Sequence, residues 1–172
     1  MNEALKAIYN RRSIRKYKPE QIREEELEAV LKAGVCAPTG MNRQSPSIVV
    51  VQDRESIDRL SRLNAAVNGW DSDPFYGAPT VLIVLADAKS PHAVQDGSLV
   101  IGNLMNAASA LGLGSCWINR AKEVFDSPEG KALLKKWGIK GEYTGVGNCI
   151  LGYPDEEPEM KPRKENYIYY VR

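Results

Sequence analysis

Residues 96–111, DGSLVIGNLMNAASAL, limit more than any other stretch how this chain can fold. At helical spacing they are apolar on nearly all sides, interrupted only by Asn, Ser and Gly, and a helix of that kind is covered on every face. A chain of 172 residues has room for one domain and one core. A sheet can cover one side of this helix; the other side points to a subunit interface as much as to a core. The other long apolar runs, IVVV at 48–51 and VLIVLA at 81–86, fall far short of the ~20 residues that a bilayer span needs.

Around that helix, strand-like and helix-like segments alternate without repeats or low-complexity tracts. Residues 3–9 predict a short helix, and Ile22 to Ala33 a second, with Leu27, Val30 and Leu31 at helical spacing and Gly34 as a stop. SIVVVQ (47–52) predicts a buried strand on its β-branched content. Helical spacing returns from Arg54 to Val67, and NGWDSDPFYGAP (68–79) is a loop carrying three aromatics. TVLIVLAD (80–87), SCWI (115–118) and TGVGNCILGY (144–153) predict further strands. SPEGKALLKKWG (127–138) predicts a helix capped by Ser127, opened by Pro128 and closed by Gly138. The terminal NYIYYVR has strand composition and needs a sheet edge, which a partner subunit could supply. The class is α/β or α+β.

Composition removes several function classes. Basic and acidic residues number 23 and 22, a formal charge of +1, without the cationic surplus of a dedicated nucleic-acid binder. The start, MNEALKAIYNRR, lacks the apolar centre of a secretion signal, and three widely spaced cysteines (Cys36, Cys116, Cys149) suit reduced thiols in the cytoplasm. One histidine, His92, and scattered thiols give no metal-binding spacing, and no nucleophile–base pair is implied. An enzyme built from this inventory needs a bound cofactor to carry its reaction.

Five stretches carry possible chemistry. YNRRSIRKYKPE (9–20) gathers Arg11, Arg12, Arg15, Lys16 and Lys18 beside Ser13. Cations at a helix C-terminus are favoured by its dipole, which is the simpler account; an anion site built from guanidinium forks and a hydroxyl is the other. CAPTGMNRQSP (36–46) is a loop whose Thr39, Asn42 and Gln44 can read the edge of a heterocycle. GLGSCWI (112–118) is either a glycine helix stop or a place where a flat ligand approaches backbone. GNCILGYP (147–154) is not a dinucleotide fingerprint, because its glycines lie within and after a strand. MKPRKEN (160–166) is a second basic cluster of the kind usually found on solvated surface.

Taken in order, RRSIRKY, APTGMNRQSP, FYGAPTVLIVLAD, Asp96 leading a long helix into ALGLGSCWI, then LGYP and KPRK, the chain resembles the FMN-dependent nitroreductase family over roughly residues 5–165. The resemblance implies an α+β fold, layered α/β/α, with a mixed, mainly antiparallel sheet flanked by helices in an intertwined homodimer. Residues 1–172 would form a single FMN-binding domain, and the tail from about 155 to 172 would wrap onto the partner subunit.

The same resemblance assigns roles. Arg11, Arg12 and Ser13 fall where the family holds the FMN phosphate and ribityl chain, and Arg15 near flavin N1 and O2, where it tunes the cofactor. Arg163, with Lys161 or Lys164, would complete the phosphate site. Pro38, Thr39, Gly40, Asn42 and Gln44 match the loop that the second subunit lays against the flavin. Ser115, Cys116, Trp117 and Ile118 match the strand beside the isoalloxazine, with Gly152 and Tyr153 nearby. Asn64 and Asn68 are candidates for reading the pyrimidine, and Trp70, Phe75 and Tyr76 for a substrate wall or for packing. Only 26 positions separate Asp53 from Pro79, where longer members place helices over the active site. The implied activity takes hydride from NADH or NADPH onto flavin and passes it by ping-pong to a nitroaromatic, quinone or similar small oxidant. No side-chain acid or base is needed, and no metal, nucleic acid or membrane is involved. The alternative is a specialised protein of the same fold, in flavin storage or breakdown or in reductive dehalogenation.

Overall fold

The structure, a computed structural model, describes residues 2–172. Four strands form one antiparallel sheet in the order β1-β2-β4-β3: β1 Pro46–Val51, β2 Thr80–Asp87, β3 Gly114–Ile118 and β4 Tyr143–Gly152. The parallel component of the expected mixed sheet is one bridge, Ser13 to Ser115.

β2 lies at the centre and is buried on both faces, which explains its unbroken apolar run. Its odd positions, Val81, Ile83 and Leu85, pack with Ile57, Leu60, Val124, Phe125 and Leu133. These come from α3 (Arg54–Asn68), α5 (Ala121–Asp126) and α6 (Pro128–Lys136). Leu82 and Val84 face the other way, onto Leu27 and Val30 of α2 (Glu24–Val35) and Val100, Ile101 and Leu104 of α4 (Ala93–Ala110). The result is helices, sheet, helices, with a core on each side of the sheet.

Local chemistry fixes the elements. Ser127 Oγ accepts from Gly130 N–H at 3.1 Å, Pro128 opens α6, and Gly138 follows it at φ 72°. Asp53 caps α3 by accepting from Ser56 N–H. The six-residue α5 was not legible: it is too short for periodicity, and Arg120, at φ 75°, occupies the left-handed position before it. In the 68–79 loop, the Asp73 carboxylate accepts from Ser61 Oγ and from the N–H groups of Phe75 and Gly77. Phe75 enters the core, while Trp70 and Tyr76 stay exposed.

One expectation changes, and two apolar segments for which a partner subunit was expected lie open in the single chain. β1 is an edge strand, paired only to β2, so Val50 is exposed where a buried strand was expected. α4 buries Val100, Ile101, Leu104 and Ala108 but leaves Val94 and Leu99 exposed, because one chain covers only one side of it. The terminal YIYYV forms no strand and lies open, with Tyr167, Ile168, Tyr169, Tyr170 and Val171 all exposed. α1 (Glu3–Asn10) buries nothing and exposes Leu5, Ile8 and Tyr9, held to α4 by Ser109 Oγ donating to the Ala7 carbonyl.

The sheet's fit to its helices depends on glycines in β4. A Cβ on Gly145 would lie 2.3 Å from the Ala121 carbonyl group, which is backbone and cannot swing aside. Gly145→Ala is therefore expected to lower unfolding stability in urea by about 2–3 kcal/mol. A loss below ~0.5 kcal/mol would contradict the close docking of α5 on β4.

Candidate functional site

The basic run reaches the sheet through backbone pairing. Ile14 N–H donates to the Ser115 carbonyl at 3.0 Å, covering the outer edge of β3. A Cβ on Gly114 would meet Ile14 Cγ2 at 2.9 Å, so the two segments touch at van der Waals range. Further on, Lys18 N–H donates to the Tyr153 carbonyl and Asp155 N–H to the Lys16 carbonyl, with a Tyr17–Pro154 bridge between them. Tyr17 is pinned through its hydroxyl to the Ile14 carbonyl at 2.7 Å, and burial pushes its pKa far up.

This zipper separates the cations by role. Arg12 Nη1 donates to the Tyr9 and Arg11 carbonyls at 2.7 and 2.8 Å, so it terminates α1 as helix-end electrostatics predict. Lys16 pairs with Asp155 at 2.9 Å. Arg15 gives its backbone N–H to Glu156 Oε1, and its guanidinium has no hydrogen bond or ion pair among the described residues. Arg11 differs from all of these: its Nη1 is buried from solvent with no acceptor among the described residues. A buried donor without a partner costs on the order of 1–3 kcal/mol, more when charged. An anion delivered to that point would remove the penalty.

Arg11, Arg12, Ile14 and Ser115 line a cavity of about 1140 Å³ that also takes in Gly112. Its other wall is residues 154–160, including Glu156, Glu157 and Glu159. From the sequence, these residues are expected in the tail, from about 155, that would wrap onto the partner; here Asp155 and Glu156 contact their own chain at Lys16 and Arg15. The signal for this wall was the acidic run DEEPE (155–159), opposite in charge to RRSIRK and matched to it by the pairs described above. Lys161 and Arg163 lie just beyond it, exposed and outside the cavity lining.

The other assigned residues fall into separate places. Ser115 and Cys116 are buried in β3, and Trp117 and Ile118 are half-buried. The Trp117 indole donates to Asn119 Oδ1 at 2.7 Å and lies against Gly147, where a Cβ would meet its ring at 2.9 Å. Burial pushes the Cys149 thiol up to about 12, which suits a packing residue rather than a redox thiol. Gly152 is packed under Pro79 and Tyr17, with a prospective Cβ 2.8 Å from Pro79 Cδ. Tyr153 donates to Glu26 Oε2 at 2.7 Å, which lowers the Glu26 pKa and raises that of Tyr153. Asn64 is committed to the Asn119 carbonyl, and Asn68 accepts from Arg120.

Pro38, Thr39, Gly40, Asn42 and Gln44 stand on a different surface. Thr39 and Gln44 border an apolar groove of about 500 Å³ that runs over Val35, Ile48, Val50 and Val100 and shares no residue with the Arg11 cavity. Met41, Asn42 and Gln44 have φ of 54°, 53° and 52°, left-handed values that side chains other than glycine avoid. One chain thus carries two separate surfaces with polar groups, one cationic and one with amide and hydroxyl groups. No group of His, Cys, Asp and Glu side chains suited to a metal ion occurs among the described residues, and none of their helices is long and apolar enough to cross a membrane.

Comparison with known proteins identifies the arrangement. A family model for the nitroreductase family matches residues 8–70 and 64–153. A protein of Archaeoglobus fulgidus, named for NADH dehydrogenase/NAD(P)H nitroreductase activity, is 37% identical over 166 residues, covering 93% of this chain and 90% of its own. The crystal structure of a Bacteroides fragilis nitroreductase with bound FMN aligns over 100% of both chains with a TM-score of 0.92 and 32% identity. A Desulfitobacterium hafniense nitroreductase, also with bound FMN, aligns over 100% of both with a TM-score of 0.90 and 27% identity. The layered antiparallel fold and the order of its motifs therefore have one explanation: this chain belongs to the nitroreductase family.

Proposed function

We infer that this protein is an FMN-dependent oxidoreductase that takes hydride from NADH or NADPH and reduces a small oxidant such as a nitroaromatic or a quinone. The observation that carries the assignment is the buried Arg11 Nη1 without an acceptor, at the wall of a cavity that reaches the backbone of β3. A phosphate monoester supplies what that nitrogen lacks, and guanidinium–phosphate pairing is among the strongest charge-assisted hydrogen bonds. The donor set therefore fits FMN.

Bound FMN supplies the hydride acceptor and donor, so both co-substrates use one place in turn and ping-pong kinetics follow. The chain's own residues bind and orient. Arg11 holds the phosphate, and the Ser13 hydroxyl adds a donor beside it. Arg12 fixes the end of α1, and thereby the direction of Arg11, through its two carbonyl contacts. Arg15, whose guanidinium is uncommitted, balances negative charge on the pyrimidine side of the cofactor. Ser115 to Ile118 present backbone to the ring, and the neighbouring Gly112 keeps side chains out of its approach.

A second copy completes the site. The groove over Val35, Ile48 and Val50, the exposed Val94 and Leu99 of α4 and the open edge of β1 are apolar surfaces that a homodimer would bury. Pairing would carry Pro38, Thr39, Gly40, Asn42 and Gln44 to the partner's cofactor. The tail from about 155 to 172 would reach over the partner, with Tyr167–Val171 adding a strand to an open sheet edge. Within one chain, acidic residues 155–159 line the Arg11 cavity, and the basic Lys161 and Arg163 follow them in sequence outside its lining. Those two cations would therefore join the phosphate site along the path that dimer formation gives the tail. Residues 1–172 act as one domain, and the unpaired thiols suit the reducing cytoplasm.

Purified protein is expected to take up FMN, turn yellow and bleach anaerobically with NADH or NADPH, then regain colour with a quinone. Protein that remains colourless in excess FMN would end the assignment. Arg11→Ala combined with Arg163→Ala should raise the FMN dissociation constant at least about tenfold. Arg59→Ala with Arg62→Ala, on the exposed side of α3, should leave it unchanged. Equal retention by the two double variants would count against the phosphate clamp.

A further inference from the structure

The loop from Thr39 to Ser45 is held to the rest of the chain by one carboxylate and one backbone hydrogen bond at its end. Asp96, in the first turn of α4, is only 3% exposed. Its Oδ1 accepts from Gly40 N–H at 2.9 Å, and its Oδ2 accepts from Ser45 Oγ at 3.5 Å. Apart from Asp87 N–H donating to the Ser45 carbonyl, every hydrogen bond joining residues 39–45 to the rest of the chain ends on Asp96, among the described residues. The loop's other bonds are internal, among them Gln44 N–H to Thr39 Oγ1 at 3.0 Å, Gln44 Nε2 to Asn42 Oδ1 at 3.2 Å, Asn42 N–H to the Thr39 carbonyl at 2.9 Å and Arg43 N–H to the Gly40 carbonyl at 3.1 Å. They shape the loop without attaching it.

Two more features show that the attachment bears strain. Between the residues Asp96 grips lie three non-glycine residues in left-handed conformation, a state that persists only where the surroundings enforce it. Gly40 is also pressed onto the start of α4, where a Cβ would sit 2.5 Å from His92 Cδ2. Asp96 has no cationic partner among the described residues. Its buried charge is compensated by the N–H, the hydroxyl and the N-terminal end of the helix dipole. An uncharged residue of ordinary size would fill the space at less cost if filling were all that was required.

We propose that Asp96 is the positioning residue that sets the 39–45 loop, so that Thr39, Asn42 and Gln44 meet the flavin held by the partner subunit in one fixed geometry. The proposal rests on the flavin assignment above and adds to it the group that fixes the loop. Asp96 touches neither cofactor nor substrate. It acts through Gly40 and Ser45, and preorganisation of this kind governs affinity and orientation more than fold.

The test compares dimeric wild type with Asp96→Asn, Ser45→Ala and a control, Leu133→Ala, which weakens the core on the opposite face of the sheet. All are measured well below their melting temperatures. Asp96→Asn should raise the FMN dissociation constant about tenfold and alter the visible circular dichroism of FMN at saturation. Ser45→Ala should do the same to a smaller degree, about threefold. Leu133→Ala should change neither, whatever its effect on melting. An Asp96→Asn protein with wild-type affinity and an unchanged visible spectrum would overturn the positioning role, as would equal effects from Leu133→Ala. If Asp96→Asn does not fold, Ser45→Ala decides by the same two readouts. Wild type that takes up no FMN would instead sink the flavin assignment itself, and the proposal with it.

Discussion

The hydrogen bond from Ile14 N–H to the Ser115 carbonyl is the contact on which the rest of the site depends. It closes the outer edge of β3 with the chain's own N-terminal segment and so carries Arg11, Arg12, Ser13 and Arg15 to the sheet. Backbone pairing of this kind has a fixed register, so the cationic side chains arrive in fixed places. Arg12 and Lys16 find partners inside the chain, whereas Arg11 Nη1 is buried without one. Arg11 is thus the one guanidinium of the run with a nitrogen both buried and unpaired among the described residues, which is where an anion would offset a cost.

The two polar surfaces make the same point at a larger scale. The Arg11 cavity and the groove beside Thr39 and Gln44 share no lining residue, yet each has groups that suit a different part of one ligand. Guanidinium groups suit a phosphate; amides and hydroxyls suit a heterocycle. In the homodimer proposed above, two-fold symmetry would join them: each copy would offer both halves, and the same operation would bring the apolar surfaces of α4 and β1 together. Binding and assembly would then be linked, because cofactor and partner would stabilise the same state.

Legibility in the sequence followed the range of the forces involved. The central strand, the capped helix α6 and the separation of strands by helices were readable because periodicity, β-branched runs and cap residues are local signals. α5 was not, since six residues opened by a left-handed arginine carry no period. The exposure of Val50 and Leu99 was equally hidden: the sequence reports that a residue is apolar, and only sheet order shows which edge lacks a neighbour. Within the site, the cationic cluster was visible, but its division into Arg12 at a helix end, Lys16 in an ion pair and Arg11 without an acceptor needed coordinates. Asp96 read as the start of a long apolar helix, and nothing nearby in sequence announced that its carboxylate grips a loop some fifty residues earlier.

The central claim is that a phosphate group satisfies Arg11. Its most direct test is to titrate the wild-type apoprotein with FMN and with riboflavin, which differ only by that group, at fixed ionic strength. FMN binding at least about a hundredfold tighter is the predicted result. Affinities within about twofold of one another would mean that Arg11 meets no phosphate, and would contradict the account at its base.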